Sequence, residues 1–163
     1  PHLTWTDKPL PASGLAMLEI SGVRRRYHAP LMRTFHIGKP PQELADLAKI
    51  IVEGVDCAME MARPGNTAEQ VEAAWQASIA RHGLKKESRV GYSIGLAYPP
   101  DWGERTVSLR PGDQTVLTEG MCFHIQAGMW LAAHGAAISE SIVVTPSGAD
   151  RLTRAPRDLI VIE

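Results

Sequence analysis

Glu140 is the residue whose surroundings most directly suggest chemistry. It lies inside an apolar strand pattern at 138–145, and a carboxylate in such a setting needs a partner. That partner could be a cationic substrate, or a water molecule that Glu140 orients. A structural salt bridge, for example to Arg33, explains the residue equally well, so the sequence leaves both roles open.

Glu19 provides a second carboxylate. It interrupts the apolar pair Leu18 and Ile20 on a predicted strand, where it could contact a substrate. The alternation of Met17, Glu19 and Ser21 with apolar neighbours is equally typical of a strand with one face in solvent. The residues alone do not decide between these two roles.

Tyr92 and Gln126 could stabilise an oxyanion, because both side chains donate hydrogen bonds without the help of a cation. His124 lies beside Gln126 on the same predicted strand and is a further candidate for substrate binding. Simple packing is the alternative for each of them. Three indoles could wall a pocket for a cationic or planar ligand, namely those of Trp5, Trp102 and Trp130.

The composition is that of one ordinary domain spanning 1–163, with 44% hydrophobic and 21% charged residues. A net charge of −1 favours neither a nucleic acid nor an anionic membrane as partner, and no apolar run is long enough to cross a bilayer. Cys57 and Cys122 lack metal-type spacing and are expected to be buried free thiols in a reducing cytoplasm. The chain has no phosphate-binding loop, no Gly-x-Ser-x-Gly motif and no metal-spaced Cys/His cluster.

Hydrophobic spacing predicts strands, then two helices, then strands. A strand at 15–22 is followed by a hairpin partner at 23–38 that Pro30 is expected to break. Helices are predicted at 42–62 and 67–83, the second opened by a capping box from Thr67 to Gln70. A connector and strand at 85–100, a loop at 98–111 and three strands at 121–131, 137–145 and 151–162 complete the chain. This order favours an α+β fold with helices on one face of an antiparallel sheet.

Two segments carry a family resemblance, GYSIGLAYPPDWGE at 91–104 and GMCFHIQAGMW at 120–130. They resemble the late strands of the pita-bread hydrolases, which include methionine aminopeptidase, prolidase, aminopeptidase P and creatinase. The resemblance covers nearly the whole chain. It implies a pita-bread catalytic domain that is incomplete at its N-terminus and lacks the separate N-terminal domain of many members.

The same resemblance implies a scaffold without its metal. Peptidase members hold two metal ions with two Asp, one His and two Glu. The matching positions here are Glu19, Pro30, Tyr92, Gln126 and Ser139. One carboxylate does not hold a pair of cations, so neither a metal nor another cofactor is expected.

Creatinase, a metal-free member, suggests further roles. Its catalytic histidine precedes the strand of the first ligand position by the gap that separates His2 from Glu19, so His2 is the implied general base. The alternative is a terminal histidine without a role. Arg33 matches a family motif, Thr-Arg-Thr-Phe, and is expected to be structural or to bind a carboxylate. Met32 replaces a catalytic Glu of creatinase, so creatine is not the expected substrate.

Within the family, the segments at 24–42, 89–104 and 123–130 look most like the ectoine hydrolase branch. These enzymes open the cyclic amidine of ectoine to an N-acetylated diaminobutyrate. A cyclic amidinium already carries the electrophilic activation that a metal gives a peptide carbonyl. The resemblance therefore implies a metal-independent C–N hydrolase acting on a small molecule. The expected lack of N-terminal elements would expose a sheet edge, which implies a homodimer or a partner segment that covers this edge.

Three alternatives remain at this point. The first is a metallopeptidase similar to Xaa-Pro aminopeptidases and dipeptidases, which the missing ligands disfavour. The second is a non-catalytic pita-bread module that binds peptides, although such modules tend to carry charged surface stretches and this chain has only Arg24, Arg25 and Arg26 together. The third is a fragment that is inactive whatever the activity of a longer parent.

Overall fold

The computed structural model describes residues 7–98 and 100–163. The elements in chain order are β1 (Gly14–Arg24), β2 (Tyr27–Ile37), α1 (Gln42–Met61), α2 (Ala68–Ala80), β3 (Gly91–Ile94), β4 (Gly103–Leu109), β5 (Cys122–Trp130), β6 (Gly135–Thr145), β7 (Gly148–Arg151) and β8 (Ile160–Ile162). Both predicted helices are present, and the α+β class is confirmed. Neither helix in the described part of the chain has the length and apolar character that crossing a membrane requires.

Two sheets form the β-structure. One is five-stranded and antiparallel in the order β4-β3-β5-β6-β7, and the other has the order β1-β2-β8. The short β8 runs parallel to β2, which is the exception to the predicted antiparallel arrangement. The two sheets meet where β2 packs along β6.

Hydroxyl groups join β2 to β6 in place of a direct backbone ladder. Ser141 Oγ donates to Pro30 O at 2.6 Å, the Met32 amide donates to Ser139 Oγ at 2.7 Å, and Thr34 Oγ1 donates to Ala137 O at 2.9 Å. These bonds are buried, where an unmade hydrogen bond is costly. They fix the hairpin of β1 and β2 against the larger sheet, and this places β1 beside the candidate site.

The helices cover one face of the five-stranded sheet. Helix α1 buries one stripe of small and apolar side chains, from Leu44 to Ala58, against β5, β6 and α2. Gly54 lies where α2 crosses α1, because a Cβ atom there would meet Trp75 Cε3 at 2.4 Å. At the start of α2, the Thr67 amide donates to Gln70 Oε1 at 2.8 Å, as the predicted capping box requires.

The hairpin differs from its prediction at Pro30. Strand β2 runs through this residue without a break, and Pro30 is paired with Ser21 of β1. A proline is tolerated there because β8 pairs with β2 only from Phe35 onward, so within the described residues Pro30 has a ladder partner on one side only. The turn is formed by Arg25 and Arg26, both at positive φ (50° and 70°), which suits a two-residue hairpin turn.

Other predictions were wrong after the helices. The predicted loop at 98–111 contains β4, whose residues pair with β3. The predicted strand at 151–162 is instead the last residue of β7, a non-strand segment and the whole of β8. The chain leaves the large sheet after Arg151 and crosses to the edge of β2. Cys57 and Cys122 are free thiols, as predicted, but they are partly exposed rather than buried.

Candidate functional site

Two adjoining cavities form one cleft beside β1. The first has a volume of about 680 Å³ and includes Tyr92 and Trp102, and the second has a volume of about 480 Å³ and includes Lys86 and Trp130. Glu19 and Gln126 line both cavities. We call this combined space the Glu19–Gln126 cleft. Trp102 and Trp130 lie in its two halves, so two of the three predicted indoles contribute walls.

Strand register brings the cleft residues together. Tyr92 of β3 is opposite His124 of β5, and Gln126 of β5 is opposite Ser139 of β6. Cross-strand partners share a face of a sheet, and side chains two apart on a strand do as well. Tyr92, His124, Gln126 and Ser139 therefore share one face, while Ile125 points to the core under the helices.

A chain of hydrogen bonds runs behind the cleft. Trp102 Nε1 donates to Tyr92 Oη at 2.9 Å, and Tyr92 Oη lies 2.9 Å from His124 Nδ1. His124 Nε2 lies 2.7 Å from Ser139 Oγ, which accepts the Met32 amide proton at 2.7 Å. His124 and Ser139 are fully buried, and Tyr92 is 8% exposed, at the cleft wall.

The bonding pattern assigns the protons along this chain. Among the residues that the structure describes, Ser139 Oγ contacts one further polar side-chain atom, His124 Nε2. The Ser139 hydroxyl proton therefore goes to Nε2, which puts the imidazole proton on Nδ1. Tyr92 Oη then accepts from both Nδ1 of His124 and the indole of Trp102. The phenol proton of Tyr92 is left to donate to a molecule in the cleft.

Burial sets the charge states of His124 and Tyr92. It lowers the pKa of His124 to about 3, so the imidazole is neutral at neutral pH. Burial also raises the pKa of the Tyr92 phenol, and the nearby charge of Glu19 raises it further, against the opposing effect of the Trp102 hydrogen bond. Tyr92 therefore keeps its proton, and the cleft wall offers a neutral hydrogen-bond donor beside a carboxylate.

A pH dependence of stability follows from His124. Its pKa is 6.5 when the chain is unfolded and about 3 when folded, so only the unfolded state binds this proton between those values. The free energy of unfolding should fall as pH drops below about 6.5, by at most ~1.4 kcal/mol per pH unit. Urea unfolding between pH 4 and pH 7 measures this slope.

A His124→Gln variant isolates the contribution, because Gln does not titrate. We expect the stability difference between the parent and this variant to shrink as the pH falls. Equal slopes for the parent and His124→Gln would show that His124 is not held neutral.

Arg33 and Glu140 lie away from the cleft. Glu140 is opposite Ile125 and has the strand parity of the core residues Ile138 and Ile142, so it points to the helix side of the sheet. Its Oε1 accepts from Arg33 Nη2 at 2.7 Å, and both side chains are buried. This position favours the structural interpretation of Glu140 that the sequence left open.

Arg33 uses all five of its N–H donors. Besides Glu140, they reach the backbone carbonyls of Met32, Ser139, Ala155 and Pro156. Thr153 Oγ1 donates to the second oxygen of Glu140, and Arg151 Nη1 lies 3.8 Å from the first. The Arg33–Glu140 pair therefore ties β2 and β6 to the segment that follows β7.

The predicted site residues separate into three groups. Glu19, Tyr92 and Gln126 line the cleft, and His124 lies behind Tyr92. Arg33 and Glu140 form the pair on the helix side. His2 and Trp5 lie outside the described residues. Sequence reasoning missed three cationic cleft residues, Lys86, Arg89 and Arg105. Nothing in the sequence tells Lys86 from its neighbour Lys85.

The residues at the five aligned positions do not fit a two-metal centre. Glu19 supplies the one carboxylate, Pro30 has no donor atom in its side chain, and Tyr92, Gln126 and Ser139 are weak ligands for a cation pair. Within 7–98 and 100–163, no group of three or more His, Cys, Asp and Glu side chains is placed to hold a metal ion. The face that they form offers hydrogen-bond donors and one negative charge instead.

Relatives of this chain are hydrolases. It is 48% identical over 161 residues to the uncharacterized hydrolase/peptidase y4tM of Sinorhizobium fredii, and 44% identical over 162 residues to the ectoine hydrolase of Halomonas elongata. Each match covers 99% of this chain and 41% of the relative. The chain thus spans about two fifths of the length of these proteins.

Solved structures show the same fold. The crystal structure of the dipeptidase PepE from Mycobacterium ulcerans matches with a TM-score of 0.85 at 29% identity, over 99% of this chain and 43% of that one. The model of metallopeptidase family M24 matches residues 1–146. These matches confirm the predicted pita-bread resemblance, and this chain belongs to the M24 metallopeptidase family.

Proposed function

We propose that this protein, in its full natural length, opens a cyclic amidine such as ectoine by metal-independent hydrolysis of a C–N bond. The observation that carries the proposal is the Tyr92 phenol proton, which the Trp102 and His124 bonds leave to donate into a cleft that also contains Glu19. A donor beside a carboxylate suits a cation at which an oxygen is being added. The 44% identity to an ectoine hydrolase supports the same substrate class.

The reaction balances with water as its only co-reactant. The water oxygen bonds to the amidine carbon, and the bond from that carbon to one ring nitrogen breaks. The oxygen becomes the carbonyl of the new amide, and both protons of the water end on the leaving nitrogen, which departs as an ammonium group. A general base must carry these protons from oxygen to nitrogen. We propose His2 for this role, on the family resemblance alone, because it lies outside the described residues.

The cleft residues have distinct roles in this proposal. The Glu19 carboxylate faces the amidinium cation. The Tyr92 hydroxyl donates to the oxygen added at the amidine carbon, and this bond strengthens as that oxygen loses its remaining proton and becomes the amide carbonyl. The Gln126 amide, on the same sheet face, provides a second hydrogen-bonding group for the ring. His124 is a positioning residue, since it touches Tyr92 rather than the cleft.

Two predicted roles change with the structure in hand. We propose that Glu140 and Arg33 support the site from the helix side of the sheet rather than contact substrate, because their partners are each other and buried carbonyls. A homodimer in a reducing cytoplasm stays a prediction. A 163-residue chain that is inactive by itself likewise stays an alternative, since it spans 41% of the ectoine hydrolase.

The test uses the longest natural polypeptide that contains this chain. Proton NMR follows ectoine, hydroxyectoine and a set of Xaa-Pro dipeptides in parallel. We expect opening of at least one cyclic amidine, no dipeptide cleavage, and a loss of ring opening of at least about 100-fold in Glu19→Gln, because the variant removes the charge that faces the cation. Dipeptide cleavage without ring opening would contradict the proposal.

A dipeptidase is the second candidate, favoured by the likeness to PepE. It requires a metal centre that the cleft residues do not fit. Peptide binding without any turnover would instead indicate a non-catalytic module. The NMR assay separates these outcomes, since only the proposed hydrolase releases a ring-opened amide.

A further inference from the structure

We infer that Lys86 anchors a carboxylate of the substrate, so that the cleft selects a zwitterionic ring with its cation at Glu19 and its anion at Lys86. This inference rests on the proposed function and deepens it. Lys86 and Glu19 line the same half of the cleft, which Gln126 and Trp130 also line. Opposite charges at two places in one cavity match a ligand that carries both charges.

The Lys86 ammonium is held in place and still has donors to offer. Its Nζ donates to the carbonyl of Gly128 at 2.9 Å, and the side chain is half-buried. Among the described residues, that carbonyl is the one hydrogen-bond acceptor of Nζ. An ammonium has three N–H donors, so two remain for a ligand, and a carboxylate accepts both.

The other cations of the cleft are less suited to this task. Arg105 forms an ion pair with Asp101 inside the cleft lining. Arg89 is exposed, lies over the Tyr92 ring at 4.5 Å from its centroid and donates to Ser108 Oγ at 3.2 Å. Lys86 is partly buried, and no carboxylate in the described part of the chain forms an ion pair with it. A partly buried charge gains more from an incoming counter-ion than an exposed one.

Burial also lowers the pKa of the Lys86 ammonium below its usual 10.5. A bound carboxylate favours the charged form and opposes that shift. Affinity for a carboxylated ring should therefore decline as the pH rises through the lowered pKa, whereas affinity for a ring without a carboxylate should not follow that titration. This gives the anchor a signature that a purely structural lysine would lack.

The experiment compares ectoine with the same methylated tetrahydropyrimidine ring lacking its carboxylate. Lys86→Met, Lys86→Arg and the parent are tested in the full polypeptide, by kinetics and by titration of Trp fluorescence for binding. Lys85→Met is the matched control, because it removes the same charge from an exposed neighbouring residue. We expect Lys86→Met to raise KM and Kd for ectoine about 10- to 100-fold, the range of a charged hydrogen bond.

The remaining results decide the inference. The inference is supported if Lys86→Met changes kcat little and leaves the binding of the ring without a carboxylate unaffected. Lys86→Arg should recover most of the lost affinity for ectoine, and Lys85→Met should have the KM and Kd of the parent. Equal losses for both rings, or none for either, would overturn it. If ectoine is turned over and its KM and Kd do not depend on Lys86, the carboxylate anchor is refuted and the proposed function stands. If ectoine binds in a Lys86-dependent way but is not turned over, the anchor stands and the proposed function is refuted. Neither binding nor turnover would overturn both.

Discussion

Tyr92→Phe should lower kcat for ring opening by about 100- to 1,000-fold, the loss found when one donor to a developing oxyanion is removed. The phenol is the group whose proton the bonding pattern directs into the cleft. Phenylalanine keeps the ring, and with it the edge-on contact to His124 at 5.3 Å between centroids. KM should change little, because the bond strengthens only as the oxygen gains charge. Steady-state kinetics on ectoine measures both constants.

Tyr98→Phe is the matched control for this substitution. Tyr98 is 65% exposed and receives its hydrogen bond from Arg26 at the hairpin turn, so its loss should leave kcat unchanged. Urea unfolding of both variants guards against a folding defect, since Tyr92→Phe also deprives His124 and Trp102 of their acceptor. A kcat for Tyr92→Phe within a few-fold of the parent, in a folded protein, would remove Tyr92 from the reaction.

Arg33→Met should destabilise the fold by about 3–5 kcal/mol, because it leaves the fully buried Glu140 carboxylate without its charged partner. The nearest remaining cation, Arg151, is 3.8 Å away and part-exposed. Four backbone carbonyls lose their donor as well. The free energy of unfolding in urea or guanidinium measures the loss.

An exposed ion pair provides the control. Arg81 Nη2 lies 2.6 Å from Glu53 Oε1 with both side chains largely in solvent, so Arg81→Met should cost no more than about 1 kcal/mol. Glu140→Gln should lower stability while leaving kcat within a few-fold, at a temperature where the variant is folded. A large kcat loss in folded Glu140→Gln would restore the catalytic role that the sequence held open for Glu140.

The sequence predicted the helices and the central strands well because their patterns are strong. The apolar spacing of α1 and the capping box of α2 are local signals, and both agree with the structure. β4 was missed because its residues alternate weakly after Trp102 and Gly103, and only pairing with β3 makes them a strand. β8 is three residues long and exists because β2 lies beside it.

Site residues could be predicted where the residue type alone indicates a role. They could not be predicted where the role depends on a contact with a residue distant in the sequence. Glu19, Tyr92 and Gln126 could be chosen from type and resemblance, and the cleft brings them together. The role of Glu140 depends on strand parity and on Arg33, which is more than a hundred residues away in the chain. The direction of the hydrogen bond between Ser139 and His124 follows from the bond that the Met32 amide of the other sheet donates to Ser139 Oγ. No local sequence pattern encodes such a bond.

The most direct test of a metal-independent site is the rate of ectoine opening per protein molecule, measured together with bound metal in the same samples. Preparations are chelated, left as purified, or loaded with zinc, manganese or cobalt. We expect one rate across all of them, whatever the metal content, since the cleft supplies a phenol proton and a carboxylate rather than a ligand set. A rate that rises in proportion to bound metal and disappears on chelation would contradict a metal-independent site.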